Sequence, residues 1–81
     1  MVLSQIKNGK VKIIRFLGGK NFLRKMNALG IFIGDIVEII ANAGHGPVII
    51  GKGSLRIAIG FGMASKIVVE EIKDEEGSNS R

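Results

Sequence analysis

Cysteine is absent from this 81-residue chain, which removes disulfide scaffolds, thiolate zinc sites, iron–sulfur clusters and thiol catalysis. Tryptophan and tyrosine are absent too, and only four phenylalanines occur. The aromatic platforms with which barrels grip proline-rich peptides are therefore missing. One histidine, His45, supports neither a Ser-His-Asp triad nor a His-rich metal cage. Long apolar runs are lacking as well. Mean hydropathy is +0.31, but Gly, Glu, Asn and Lys interrupt every stretch well short of the ~18 residues of a spanning helix. The opening residues, Met1 to Lys7, show no basic region followed by an apolar core, and Val2 stands where N-myristoylation needs glycine. A cytoplasmic protein is expected.

What is present is aliphatic. Hydrophobic residues make up 46% of the chain, and twelve glycines stand against a single proline. Val and Ile enrichment with many turn residues predicts a small, mainly β module with one core, since a chain this short has no room for a second domain. Asn8-Gly9 signals a turn, and Lys10 to Leu17 reads as the first strand, with Val11, Ile13 and Arg15 on one face and Lys12, Ile14 and Phe16 on the other. Between Lys20 and Leu29 the period becomes helical: Phe22, Leu23, Met26 and Leu29 form an apolar stripe, while Lys20, Arg24 and Lys25 point away. Asn21 is the expected cap at its start and Gly30 the left-handed residue at its end. Further strands are expected over 36–41, 48–50, 54–59 and 66–72, with a turn at Gly51-Lys52-Gly53 and one helical turn within 60–65. In the fourth strand Leu55, Ile57 and Ile59 are expected to face inward. The domain spans 1–73; the polar, acidic tail 74–81 has no large apolar residue and is expected to be disordered.

The net charge of +5 is unevenly distributed. Residues 1–34 hold seven cations (Lys7, Lys10, Lys12, Arg15, Lys20, Arg24, Lys25) and no acid, whereas the stretch from Glu70 onward carries −3. A basic face of this kind suits an acidic protein, nucleic acid or an anionic membrane, and charge alone does not choose among them.

Gly46 to Gly53 nearly spells a phosphate-binding P-loop, but Gly53 replaces the required hydroxyl residue and strand formers occupy the loop. A hairpin explains it better. Gly18-Gly19-Lys20, at a helix start, is an alternative anion site or a simple linker. His45 is a metal-ligand candidate with Asp35 or Glu38 as carboxylate partner, though no diagnostic spacing supports it, and structural or solvent-facing roles suit both carboxylates.

Leu29-Gly30-Ile31 followed by Gly34, the aliphatic strand after it, Gly46-Pro47 before Val48, and Leu55-Arg56-Ile57-Ala58-Ile59 leading to Ala64 and Ile67-Val68-Val69 together resemble the FeoA family. These are small cytosolic accessory proteins of bacterial ferrous iron uptake. The resemblance covers about Ser4 to Ile72 and rests on the order and spacing of turn glycines and core aliphatics. Ile33 stands where the family usually has proline, and Gly60 where a polar or basic residue often follows.

The resemblance implies a five-stranded SH3-like barrel with one short α-helix, similar also to the C-terminal domain of iron-dependent repressors. It implies a non-enzymatic adaptor acting through protein–protein interaction with the membrane GTPase transporter FeoB, at its cytoplasmic part or at the inner face of the membrane. No cofactor is required; binding of a transition metal, iron or zinc, is implied at family level only. Lys20, Arg24 and Lys25 are the candidate partner-binding residues. Two alternatives are a nucleic-acid-binding small β-barrel and a metal-sensing domain detached from its repressor.

Overall fold

The computed structural model describes residues 1–73; the tail 74–81, expected from sequence to be disordered, lies outside the described residues. Five strands form one antiparallel sheet: β1 (Gly9–Phe16), β2 (Ile36–Ala41), β3 (Val48–Lys52), β4 (Leu55–Ile59) and β5 (Ile67–Ile72), ordered β4-β3-β2-β1-β5. One full helix, α1 (Lys20–Ala28), joins β1 to β2, and a single turn, α2 (Phe61–Ala64), precedes β5.

Each strand sends two aliphatic side chains to one face at alternate positions, as the two-residue period of a pleated strand requires. These are Val11 and Ile13, Val37 and Ile39, Val48 and Ile50, Ile57 and Ile59, and Ile67 and Val69, all buried. Leu3, Ile6, Met26, Ile31 and Ala64 close the core from outside the sheet. Full burial of each large aliphatic contributes about 1.5–3 kcal/mol, so the strands supply most of the cohesion that this cysteine-free chain can draw on.

Two bulges bend the sheet. Against β5, Ile13 faces Val69 and Arg15 faces Val68, which leaves Ile14 as the extra residue. The alternation predicted for the first strand therefore breaks at Ile14: Arg15 does not follow Val11 and Ile13 inward, and Phe16 packs against the core instead. An inserted residue flips the faces of everything after it. A second bulge between Ile39 and Ala41, against β3, leaves Ile40 44% exposed.

Other differences have local causes. Gly19, in extended conformation, is the N-cap of α1 and no side chain caps it, so Asn21 lies inside the helix. Gly30 has the expected positive φ of +94°. Gly51 and Lys52 belong to β3, paired with Arg56 and Leu55 of β4, and the Arg56 side chain lies over Gly51, where a Cβ would be 2.8 Å from its Nη1. The turn is made by Gly53 at φ +60° with Ser54. Leu55 is 47% exposed, not inward.

The N-terminal segment, unassigned from sequence, is a single 3-10 turn at Leu3–Gln5 with Leu3 and Ser4 buried. Asn42 Nδ2 donates to the carbonyls of Ser4 (3.0 Å) and Ile6 (2.8 Å), tying that turn to the loop after β2. The Val69 amide donates to Met1 O at 2.9 Å, and Val2 bridges Val68.

The strand-to-helix junction offers a sharp test. A Cβ on Gly18 would meet Phe22 Cβ at 2.4 Å, whereas one on Gly19 meets nothing within 4 Å. Gly18→Ala should destabilise by about 1–3 kcal/mol through overpacking, while Gly19→Ala should stay within ~1 kcal/mol of the parent, its poorer capping offset by reduced unfolded-chain entropy. Urea unfolding of both variants checks the contrast, and equal effects would contradict the geometry.

Candidate partner-binding face

Helix α1 forms because apolar positions recur three and four residues apart, yet it buries a narrower stripe than its sequence suggests. Met26 is fully buried and Phe22 partly so, meeting Phe16 edge-to-face with centroids 5.8 Å apart at 73°. Leu23 and Leu29, at the flanks of the stripe, remain 37% and 40% exposed. The three candidate cations Lys20, Arg24 and Lys25 are exposed, and among the described residues none of them joins an ion pair. Lys20 and Arg24, four residues apart, share one side of the helix. No acidic residue occupies the first turn.

Beside this helix lies a groove of about 320 Å³. Phe16, Gly18, Leu23 and Ile33 line it with apolar surface, and Arg15 and Lys20 stand among its walls. Arg15, which strict alternation sets on the same face as Val11 and Ile13, is not among the site candidates named from sequence. The bulge at Ile14 delivers it here. Ile33, which replaces the expected proline, is 54% exposed and supplies an apolar wall.

The loop carrying Ile33 is fixed by the one ion pair among the described residues. Lys52 Nζ lies 2.7 Å from Asp35 Oδ2 and donates to Gly30 O at 2.8 Å. Asp35 Oδ2 in turn accepts from the Phe32 amide at 2.9 Å, and the Lys52 ammonium sits 5.0 Å from the Phe32 ring centroid. A carbonyl left over past the helix end, a carboxylate and an aromatic face thus share one cation. Asp35 is thereby engaged structurally.

His45 is exposed in the loop 42–47. Among the described residues no group of three or more His, Cys, Asp or Glu side chains could hold a metal ion, so neither Asp35 nor Glu38 completes a site with it. Glu38 instead lies on the sheet's outer surface, across from Lys10 on β1 and Gly51 on β3, in a cavity of about 220 Å³ that Arg56 also lines. The region resembling a P-loop contains β3 and no helix start, which leaves no phosphate cradle there. No helix among the described residues is long and apolar enough to cross a membrane.

Comparison with known proteins places this arrangement. Residues 1–71 match the model of the FeoA domain. The chain belongs to the FeoA family. It is 37% identical over 70 residues to Fe(2+) transport protein A of Methanocaldococcus jannaschii, covering 85% of this chain and 84% of that protein. Its fold superposes on the crystal structure of an iron uptake regulatory protein, FeoA, with a TM-score of 0.82 at 32% identity, over 89% of this chain and 97% of that one. The manganese regulator SloR shares the fold alone: TM-score 0.78 at 22% identity, over 89% of this chain and 34% of the regulator. The SH3-like, mainly β architecture expected from sequence is thus shown, and so is its likeness to a domain of a metal-responsive regulator.

Removing the Lys52 cation should loosen the 30–35 loop. Lys52→Met is expected to cost about 1–2 kcal/mol in urea unfolding, since the partly solvated partners regain some hydration. Lys52→Arg, which keeps the charge, should cost less. A Lys52→Met variant as stable as its parent would show that the ion pair does not hold the loop.

Proposed function

We propose that the chain is a non-enzymatic adaptor of ferrous iron uptake that acts by binding the cytoplasmic part of the membrane transporter FeoB. Family membership supports the process; the observation that carries the binding mode is an exposed helix whose Lys20, Arg24 and Lys25 make no ion pair among the described residues. Unpaired cations on a surface with no carboxylate across residues 1–34 attract an acidic partner and accelerate encounter more than they deepen affinity. Action beside the membrane follows from the partner's location.

A resident metal plays no part in this reading. Among the described residues His45 has no group of three or more possible ligands around it, and no step of the proposed binding requires iron or zinc on this chain.

Charge reversal at Lys20, Arg24 and Lys25 to Glu should weaken binding to the FeoB cytoplasmic part at least tenfold at low salt and flatten its dependence on ionic strength, measured by calorimetry between about 50 and 200 mM salt. Unchanged affinity would sink the adaptor mode. A steep salt-dependent shift of RNA or DNA by the unaltered chain, without FeoB binding, would favour the nucleic-acid reading.

A further inference from the structure

The groove between the end of β1 and the start of α1 is not used by charge steering, yet it has the attributes of a contact site. Its apolar lining includes Leu23 and Ile33, which are 37% and 54% exposed and line one recess together. Its volume of about 320 Å³ falls in the range of small ligand pockets and can take one large side chain. Its walls include the cations Arg15 and Lys20, with Arg24 one helical turn beyond Lys20.

Resting on the adaptor reading, we propose that this groove receives a single leucine- or phenylalanine-sized side chain from an acidic segment of that same partner, with carboxylates flanking the anchor set against Arg15, Lys20 and Arg24. The combination selects the occupant. An apolar cleft with a cationic rim matches an apolar anchor between acids, the pairing of a buried contact with a complementary polar rim that protein interfaces use. Nucleic acid fits less well, because the one ring lining this groove, Phe16, is partly buried against the core and meets Phe22 edge-to-face, and no second aromatic lines the groove for successive bases to stack on. A lipid surface would favour protruding apolar side chains over a recess.

The recess itself is prebuilt. Gly18 brings the chain against Phe22 so closely that no Cβ fits, whereas Gly19 beside it leaves open space. A bulky residue at Gly19, whose φ of −86° suits any side chain, would block the recess without entering the core.

The test titrates the isotope-labelled chain with the FeoB cytoplasmic part and follows amide shifts, for the unaltered chain, Leu23→Ser and Gly19→Phe. Shifts concentrated over residues 15–24 and 33 are expected. Each variant should weaken binding at least tenfold while keeping a folded amide spectrum. Parent-like affinity in both folded variants, or shifts confined to another face, would overturn the groove proposal and leave the adaptor standing. Absence of any binding by the unaltered chain would remove the adaptor reading and this proposal with it. Binding to phosphatidylglycerol vesicles in place of the FeoB part, lost in Leu23→Ser, would overturn it in favour of a lipid surface.

Discussion

Ten alternating aliphatic side chains, two from every strand, are the constraint to which the rest of the molecule is fitted. A chain without cysteine and with this little volume has no other large source of cohesion. The helix, the N-terminal turn and the loop residue Ile31 each contribute one or two side chains to close that layer. Departures from the alternation are therefore informative. At Ile14 the register slips, an arginine is turned out of the core, and a phenylalanine is turned in. The same slip that bends β1 shapes the groove.

The cations divide into two kinds. Lys52 is committed: a carboxylate, a carbonyl and an aromatic ring surround it, and its role is to hold the loop after the helix. Arg56 is similarly engaged, its guanidinium crossing Gly51 to reach the carbonyls of Gly53 and Leu55. The helix cations have no such partners among the described residues. The distinction between satisfied and unsatisfied charge, more than the total of +5, is the basis on which the proposed partner contact is set on the helix.

Much of the architecture was legible in the sequence, because period-two aliphatics and turn glycines report directly on strand position. The second strand has its expected bounds, the helix occupies the stretch from Lys20 with its N-cap at Gly19 and not Asn21, and the left-handed Gly30 and the single turn of α2 are where the sequence puts them. The three helix cations were also found where sequence put them, on an exposed surface. What escaped had non-local causes. A bulge depends on the pairing partner, so nothing in Ile14-Arg15-Phe16 announces it. The buried 3-10 turn is held by Asn42 from a distant loop and by Ser65, whose hydroxyl meets that of Ser4 at 2.9 Å. The exposure of Leu23 and Leu29 reflects how little sheet lies beneath the helix. The groove joins residues from three separate stretches, and Ile33 looked only like a missing proline until the fold set it beside Leu23.

β1 lies between β2 and β5, so the first strand made is also the partner of the last, with Val11 opposite Glu71 and Phe16 opposite Ile67. Pairings between distant parts of a chain close late and slowly. During synthesis, β1 to β4 can collapse as an antiparallel meander while one side of β1 and the docking sites for Met1 and Val2 stay open until β5 emerges. The domain becomes whole only when its final strand leaves the ribosome, and until then the exposed flank of β1 is the stretch most open to wrong pairing.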